Sequence, residues 1–489
     1  MRLENVKILK MGSRLGIALS EFYFKKGSIV EIKALKGNNQ KTFLAKFNRI
    51  ITLRRDLRNF LGLKHQELLT LEIRSIPSLE RTKEMFKDDK IDMLSLIPEK
   101  TSKDYEIFVV EFDKDAEKWV RIWYSHERGS GQQLEIKRYV EIEAIGSLLG
   151  QYQAEGTKHK NTSNKFYIEF KNKLVLEHKE FVNSLNMLGI TKNMSEFRFV
   201  FNLVKVTKNE VENYVNQFKT GMECDVKLSS CKSKGIGFGW VIRNTLLAEI
   251  VLNSLDKVRN LLVRESHYLT NQQKLANSFF AKLLTGDGTF DVNCRGRDFP
   301  GIRIKIVDID INYLHDYKKI MKNLGFHARI NEKYIFVISS CSFKNLLYLY
   351  RINAFKNSNN WNKLIVAIAL CLKGRRYYTY LRFLELPDCE KFGTSLITKG
   401  FLLNSNISSD WLNNKVKENL VIKNGYNCWS LTSNGRNLSE TLGNWSKDYK
   451  NLKELKKIEN PFELIEVLKI KKMKYLPKEC PESSRCSFL

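Results

Sequence analysis

No pair of cysteines in this chain has the spacing of a metal-binding or redox motif. The nine (Cys224, Cys231, Cys294, Cys341, Cys371, Cys389, Cys428, Cys480 and Cys486) are odd in number and scattered, with no CxxC. Zinc modules and a disulfide framework are therefore excluded as organising features, and reduced thiols are expected. Long apolar runs are missing too. The longest, Leu364 to Leu372, falls far short of the about 20 residues that span a bilayer. The N-terminus carries charge and no apolar signal core, so a soluble, intracellular, cytoplasmic protein is expected. No Cys or Ser opens the chain and no His-Asn pair ends it, which argues against protein splicing.

Acidic residues are outnumbered. There are 54 Asp and Glu against 82 Lys and Arg, a formal charge of +28. Such an excess repels itself and is most simply explained by a polyanionic partner, with a lysine-rich solvated surface as the alternative. What is plentiful is core material: 43% of residues are hydrophobic, with 7 Trp, 19 Tyr and 29 Phe. At 489 residues the chain is long enough for about three domains of roughly 150 residues each.

An internal repeat organises the middle of the chain. Residues 141–156 read EIEAIGSLLGQYQAEG, with Ile142, Ile145, Leu148, Leu149 and Tyr152 at helical spacing. Residues 271–288 read NQQKLANSFFAKLLTGDG after Thr270, a candidate N-cap, with Leu275, Phe279, Phe280, Leu283 and Leu284 forming the same stripe. Both helices end in a small residue, an acid and a glycine: Ala154-Glu155-Gly156 and Gly286-Asp287-Gly288. A period-2 strand follows each (165–172 and 302–309), then a helix ending in Leu188-Gly189 or Leu324-Gly325. Further strands come at 196–204 and at 328–330 with 334–340, and a helix over 342–351 closes the second copy.

LLGQYQAEG (148–156) and FAKLLTGDG (280–288) resemble the two motifs of a monomeric LAGLIDADG homing endonuclease, over roughly residues 141–355. The resemblance implies motif helices side by side at a pseudo-two-fold axis, sheets lying in the DNA major groove, and Glu155 and Asp287 as catalytic metal ligands. Carboxylates there suit Mg²⁺ or Mn²⁺, hard cations that keep water and activate it. Gly156 and Gly288 let the chain leave each helix sharply. The alternative is that the two acids are ordinary helix-end residues of a scaffold. Departures exist: the helix-packing glycine, present as Gly150, is replaced by Lys282 in the second motif. Lys171 and Lys305 are candidate water-organising residues by position, or else phosphate contacts. Lys165 and Arg303 belong to the strands expected to read bases.

The first 75 residues carry a second duplication, each half expected as strand, small helix, turn and alternating strand. The second half resembles the swapped-hairpin AbrB-type DNA-binding family through Arg49-Ile50-Ile51-Thr52-Leu53, Leu57-Arg58 and Leu61-Gly62-Leu63-Lys64. The first half matches less fully, through Gly12–Gly16 and Gly27. That resemblance implies Arg14, Arg49, Arg54, Arg55 and Arg58 as DNA contacts; the alternative is a small β-barrel with surface arginines. Residues 77–100 read as a charged helix and connector, and 104–125 as a hairpin about Asp113–Glu117, and no function is read from them. Helical patterns at 362–372, 394–403 and 408–420, then a strand, an Asn-Gly turn and a return strand over 421–438, resemble a winged helix. Lys415, Lys417 and Lys423 would there face phosphate; a generic helical cap is the alternative.

The expected fold is α+β. A central pseudo-two-fold LAGLIDADG fold of two αββαββα repeats joins an N-terminal swapped-hairpin-like β-barrel and a C-terminal winged helix. The expected divisions are 1–75, 76–140, 141–268, 269–355, 360–443 and a basic tail, 444–489. A monomeric, metal-dependent endonuclease cutting double-stranded DNA is the leading expectation. A non-cleaving transcriptional regulator on the same scaffold is the alternative, and assistance to RNA splicing a third.

Overall fold

Alternating apolar residues over the first 75 positions produce strands. In a computed structural model β1 (Arg2–Met11), β2 (Arg14–Ala18), β3 (Ile29–Lys36), β4 (Asn39–Lys46), β5 (Ile50–Leu53) and β6 (Leu68–Ser75) form one sheet. Its order is β4-β3-β6-β1-β2-β5, antiparallel at every pairing. The structure describes every residue except 13, 21–22, 125–131, 158–166, 203–205, 231–236, 294–300, 309, 332–334, 340–342, 374–379, 381–382, 384–385, 387–390, 395–404 and 457–489. Two compact units divide it: Met1–Leu262 with Leu269–Leu275, and Val263–Tyr268 with Ala276–Leu489.

The two halves of the N-terminal sheet differ from the expected duplication. The second half follows it: β5, then helix α1 (Arg55–Leu61), then β6. Gly62 closes α1 in the left-handed conformation, and the Leu63 N–H returns to the Arg58 carbonyl at 2.9 Å. In the first half the matching run Gly12–Gly16 lies where β1 gives way to β2. β1 and β2 make a hairpin there, because Ile8 and Ile17 face each other across it and both are fully buried.

Residues 77–100 are likewise not the expected helix. They hold β7 (Phe86–Lys87), β8 (Lys90–Asp92) and a 3₁₀ turn, Met93–Ser95. The Arg81 guanidinium donates to the carbonyls of Leu79, Pro98 and Ile107, which fixes this stretch in extended form. The expected hairpin is present as β9 (Ile107–Lys114) and β10 (Glu117–Tyr124), joined by β11 (Gln133–Lys137), with β12 (Tyr139–Glu141) pairing β8. This segment is a wedge. On one side Trp123 and Val110 pack with Ile29 and Leu44 of the N-terminal sheet, and the Leu44 N–H donates to Gln133 at 2.9 Å. On the other side the 3₁₀ turn accepts from Asn253 and Lys257 of the helix α5 described next.

The first repeat follows as α2 (Ile142–Glu155), β13 (Ile168–Lys171), α3 (Val175–Met187), β14 (Glu196–Phe201), α4 (Lys208–Met222), β15 (Val226–Ser230), β16 (Gly237–Ile242) and α5 (Thr245–Arg264). The second is α6 (Thr270–Asp287), β17 (Gly288–Asn293), β18 (Gly301–Val307), α7 (Ile311–Asn323), β19 (Ala328–Asn331), β20 (Ile335–Ser339) and α8 (Phe343–Arg351). The αββαββα order holds in the second copy and not in the first. Among the described residues of the first copy, the opening strand is reduced to a bridge between Gly156 and Phe170. An additional α4–β15 excursion lies between β14 and β16. β15 runs parallel to β14, a pairing that needs a crossover, and α4 is that crossover.

With the excursion set aside, the sheets share one connectivity. The orders are β13-β16-β14-β15 and β17-β18-β20-β19, so β13, β14 and β16 correspond to β18, β19 and β20. Phe170 pairs with Trp240 and Trp240 with Phe197 in one; Ile306 pairs with Phe336 and Phe336 with Ile330 in the other. The matching extends to side chains. Asn172 accepts the Leu174 N–H at 2.9 Å, and Asp308 accepts the Asp310 N–H at 3.0 Å, just before α3 and α7. Both helices stop at a left-handed glycine, Gly189 or Gly325. The following N–H, of Ile190 or Phe326, returns to Leu185 or Met321 at 2.9 Å.

Beyond α8 the second unit continues with α9 (Asn359–Lys373), α10 (Ser405–Lys417), β21 (Val421–Gly425), β22 (Cys428–Leu431) and α11 (Ser433–Lys456). The helix expected near 394–403 falls almost wholly outside the described residues. The hairpin turns at Tyr426-Asn427, two residues past the expected Asn-Gly, with Gly425 already paired to Cys428. The residues after it continue as α11, which runs through position 443. That helix packs on α8 and α9: Tyr350 donates to Asp448 at 2.8 Å and the Trp445 indole to the Ile365 carbonyl at 3.2 Å.

Candidate functional site

Each motif acid is the last residue of its helix. The glycine after Glu155 has no room for a side chain: a Cβ on Gly156 would lie 2.4 Å from both the Tyr152 carbonyl oxygen and its ring. Gly288 repeats this, with the Leu284 carbonyl oxygen at 2.3 Å and the Phe355 ring at 2.8 Å. Helix and strand therefore meet at an angle open only to glycine, and the preceding carboxylate is held at the head of the sheet. Glu155 and Asp287 belong to different units, and both are half-buried.

Around Glu155 the first unit supplies a network. The Asn172 amide donates to its carboxylate at 3.4 Å. The Asn172 carbonyl meets the buried His178 Nε2 at 2.8 Å. Gln151, one helical turn before Glu155, donates to the buried Glu177 carboxylate at 2.9 Å. Burial pushes the Glu155 pKa up, the nearby Glu177 charge adds to this, and Lys173 opposes it. A carboxylate that is partly desolvated, beside a second acid and at the negative end of a helix dipole, is an environment that favours a cation. The donors are oxygens, which suits a hard cation retaining its waters. Among the described residues no three His, Cys, Asp or Glu gather as a protein-only metal cage.

Asp287 has its own support. Thr285 accepts the Phe355 N–H at 3.1 Å. Asn360 donates to the Gly288 carbonyl at 3.0 Å, and Lys363 reaches the Phe290 carbonyl at 3.3 Å. The start of α9 thus braces the exit of the second motif helix. Sequence reading missed Asn172, Glu177, Asn360 and Lys363; only Asn172 and Asp308, short polar residues just before a helix, carried a local signal.

The expected lysines are not counterparts. Phe170 and Ile306 both pair with the motif glycines, so Lys171 matches Val307 and Lys305 matches Glu169. Lys171 is held by Glu169 at 3.0 Å, and the other Glu169 oxygen accepts from Thr157 at 2.8 Å. Arg303 is exposed on the outer face of β18; Lys165 lies outside the described residues. In the N-terminal sheet Arg14 and Arg49 are exposed, Arg54 and Arg58 half-buried, and the side chain of Arg55 is not described. Lys417 and Lys423 are exposed, Lys423 lying over the Trp429 ring. Lys415 does not face outward as expected. It is 5% exposed, bonded to Glu418 at 2.6 Å and packed on the Tyr380 ring, because its helix position turns it inward with Trp411 and Leu412.

No family model matches the chain, and no curated protein matches it. Among solved structures it is similar to the I-SmaMI LAGLIDADG homing endonuclease bound to cleaved DNA. That similarity has 11% identity and covers 49% of this chain and 94% of that one, at a TM-score of 0.26. I-SmaMI bound to an uncleaved DNA target with calcium ions gives 11% identity, 49% and 96% coverage, and 0.26. The LAGLIDADG homing endonuclease I-GzeII in complex with its DNA target gives 11% identity, 57% and 98% coverage, and 0.21. At those TM-scores the likeness carries no weight for fold or activity.

Proposed function

We propose that this chain is a LAGLIDADG-type DNA endonuclease that cuts double-stranded DNA with divalent metal ions. One observation carries the reading. A single polypeptide holds two sheets of the same connectivity, each entered from a helix that ends in an acid followed by a sterically required glycine. A scaffold needs the glycine for the bend but has no need of a half-buried carboxylate in front of it, twice. The charge of +28 fits a polyanion as substrate.

In this reading Glu155 and Asp287 each hold Mg²⁺ or Mn²⁺ through carboxylate oxygens. The metal, when bound, lowers the pKa of a water and neutralises charge on the phosphodiester. Asn172 orients Glu155, and the outer faces of the two sheets contact DNA. A non-cleaving regulator is the second reading, favoured by Lys171 being engaged by Glu169.

The test incubates wild type and the Glu155→Gln/Asp287→Asn variant with randomised plasmid DNA and Mg²⁺ or Mn²⁺. Defined double-strand breaks from wild type alone are expected. Tight DNA binding by both proteins without cutting across a diverse library would establish the regulator instead.

A further inference from the structure

The shared register allows the outer faces of the two sheets to be compared position by position. Take the row next to the one that contains the motif glycine. In the first sheet it runs Glu169, Val241, Glu196; in the second it runs Lys305, Val337, Arg329. The central valine is common and the flanking charges are reversed. Each row continues toward a threonine: Thr157 donates its N–H to the Glu169 carbonyl at 2.9 Å, and Thr289 pairs with Lys305.

The next row of the first sheet carries its cations: Lys171, Gly239, Arg198 and Lys227 in register. Gly239 leaves the middle of that row flat. Its absent Cβ would stand 3.2 Å from the Lys171 Cγ, so the lysine stem lies across it. Every one of these cations is tied to a glutamate of the first row. Lys171 reaches Glu169 at 3.0 Å; Arg198 and Lys227 reach Glu196 at 2.6 and 2.8 Å. In the second sheet Arg303 and Arg329 are exposed, and among the described residues Asp291 stands in register opposite Arg303.

We propose that the two sheets divide DNA recognition: Glu169 and Glu196 neutralise the first sheet's cations until a preferred sequence displaces them, while the second sheet binds any phosphate backbone through its exposed Arg303 and Arg329. The proposal rests on the DNA-binding reading above. These ion pairs stay in reach of solvent, and pairs near a surface contribute little net stability, so a well-matched site displaces them readily. On random sequence nothing offsets the repulsion between two carboxylates and phosphate. Glu169 and Glu196 are thus specificity-determining residues of the first sheet, and its contribution to non-specific affinity is small.

The experiment measures binding of full-length protein to a mixed-sequence duplex in EDTA, from low to high salt. The variants are Glu169→Gln, Glu196→Gln, Glu196→Gln/Lys227→Gln and Arg303→Gln/Arg329→Gln. Each newly engaged phosphate steepens the log–log salt slope by about 0.9. Glu196→Gln is expected to tighten mixed-sequence binding about tenfold at low salt and steepen the slope by about one to two. Adding Lys227→Gln reverses part of that gain, which a general loosening of the fold does not do. Arg303→Gln/Arg329→Gln is expected to weaken binding and flatten the slope by a similar amount. Wild-type affinity and slope in both glutamate variants overturn the division between sheets while leaving DNA binding intact. Absence of any salt-dependent duplex binding by wild type overturns the endonuclease reading along with it.

Discussion

Glu155 is held where its charge is unwelcome. Its pKa is raised above the ordinary 4.5 by burial and by Glu177, so the folded state binds the proton more tightly than the unfolded chain does. The protonated form's advantage is complete below the unfolded value and is lost as pH rises through the raised one. In metal-free buffer Glu155→Gln is therefore expected to melt higher than wild type at pH 8 and equally at pH 4. A difference that does not change with pH removes the argument. His178 has the opposite shift: burial depresses it to about 4 from 6.5. It stays neutral in the core while the unfolded chain protonates, so stability is lost as pH falls from about 6.5 toward 4. The register makes Leu314 its counterpart, equally buried. His178→Leu is expected to flatten that acid limb, read from urea unfolding at several pH values. The motif glycines are a third case. Gly156→Ala or Gly288→Ala drives a Cβ into backbone at 2.4 Å or closer and is expected to cost about 2–4 kcal/mol, measured by chemical denaturation.

Elements were legible where periodicity had a single reading. The helices over 142–155, 270–287, 175–187 and 311–323, and the strands at 168–171, 196–201, 301–307, 328–331 and 335–339, fall where the sequence placed them, whereas β12 and β17 were not anticipated. The misses have physical causes. In the first half of the N-terminal module the Ile8–Ile17 cross-strand contact sets a β1–β2 hairpin that the expected duplication did not include. At 77–100 the charge density resembled a solvated helix, but Arg81 donates to the Leu79 carbonyl and to the distant carbonyls of Pro98 and Ile107. The α4–β15 excursion was invisible because a parallel edge strand has no local signature. α4 itself starts with a reciprocal cap, Thr207 and Glu210 bonding each other's backbone. Thr207→Ala is expected to destabilise by about 1 kcal/mol, seen as faster hydrogen exchange confined to residues 208–222.

At the scale of the first unit, a buried ion network joins the N-terminal sheet to the wedge. Arg121, 6% exposed, bonds Glu31 and reaches Glu135 at 2.8 Å, while Arg74 bonds Glu31 from the other side at 2.6 Å. Arg121→Ala leaves Glu31 with Arg74 alone and is expected to cost about 3 kcal/mol, with Glu31→Gln in the same chain recovering part of it. Unfolding at the wild-type midpoint would show that the junction is held by the apolar contacts of Trp123 and Leu44 instead. The described side chains of 76–140 account for its role as a junction, joining the N-terminal sheet to helix α5.

The sequence by itself determined the duplication, the acid–glycine ends of both motif helices, the excess of positive charge and the α+β class, because helix period, strand alternation and net charge are local or additive. Tertiary structure decided the rest. Only strand register aligns Lys171 with Val307 and Lys305 with Glu169, since a shift of one residue moves a side chain to the other face of a sheet. Only packing turned Lys415 inward and brought Asn172 to Glu155, and only the pairing of distant strands set glutamates in one sheet against a lysine and an arginine in the other. Those relations depend on residues far apart in the chain, and no window of sequence contains them.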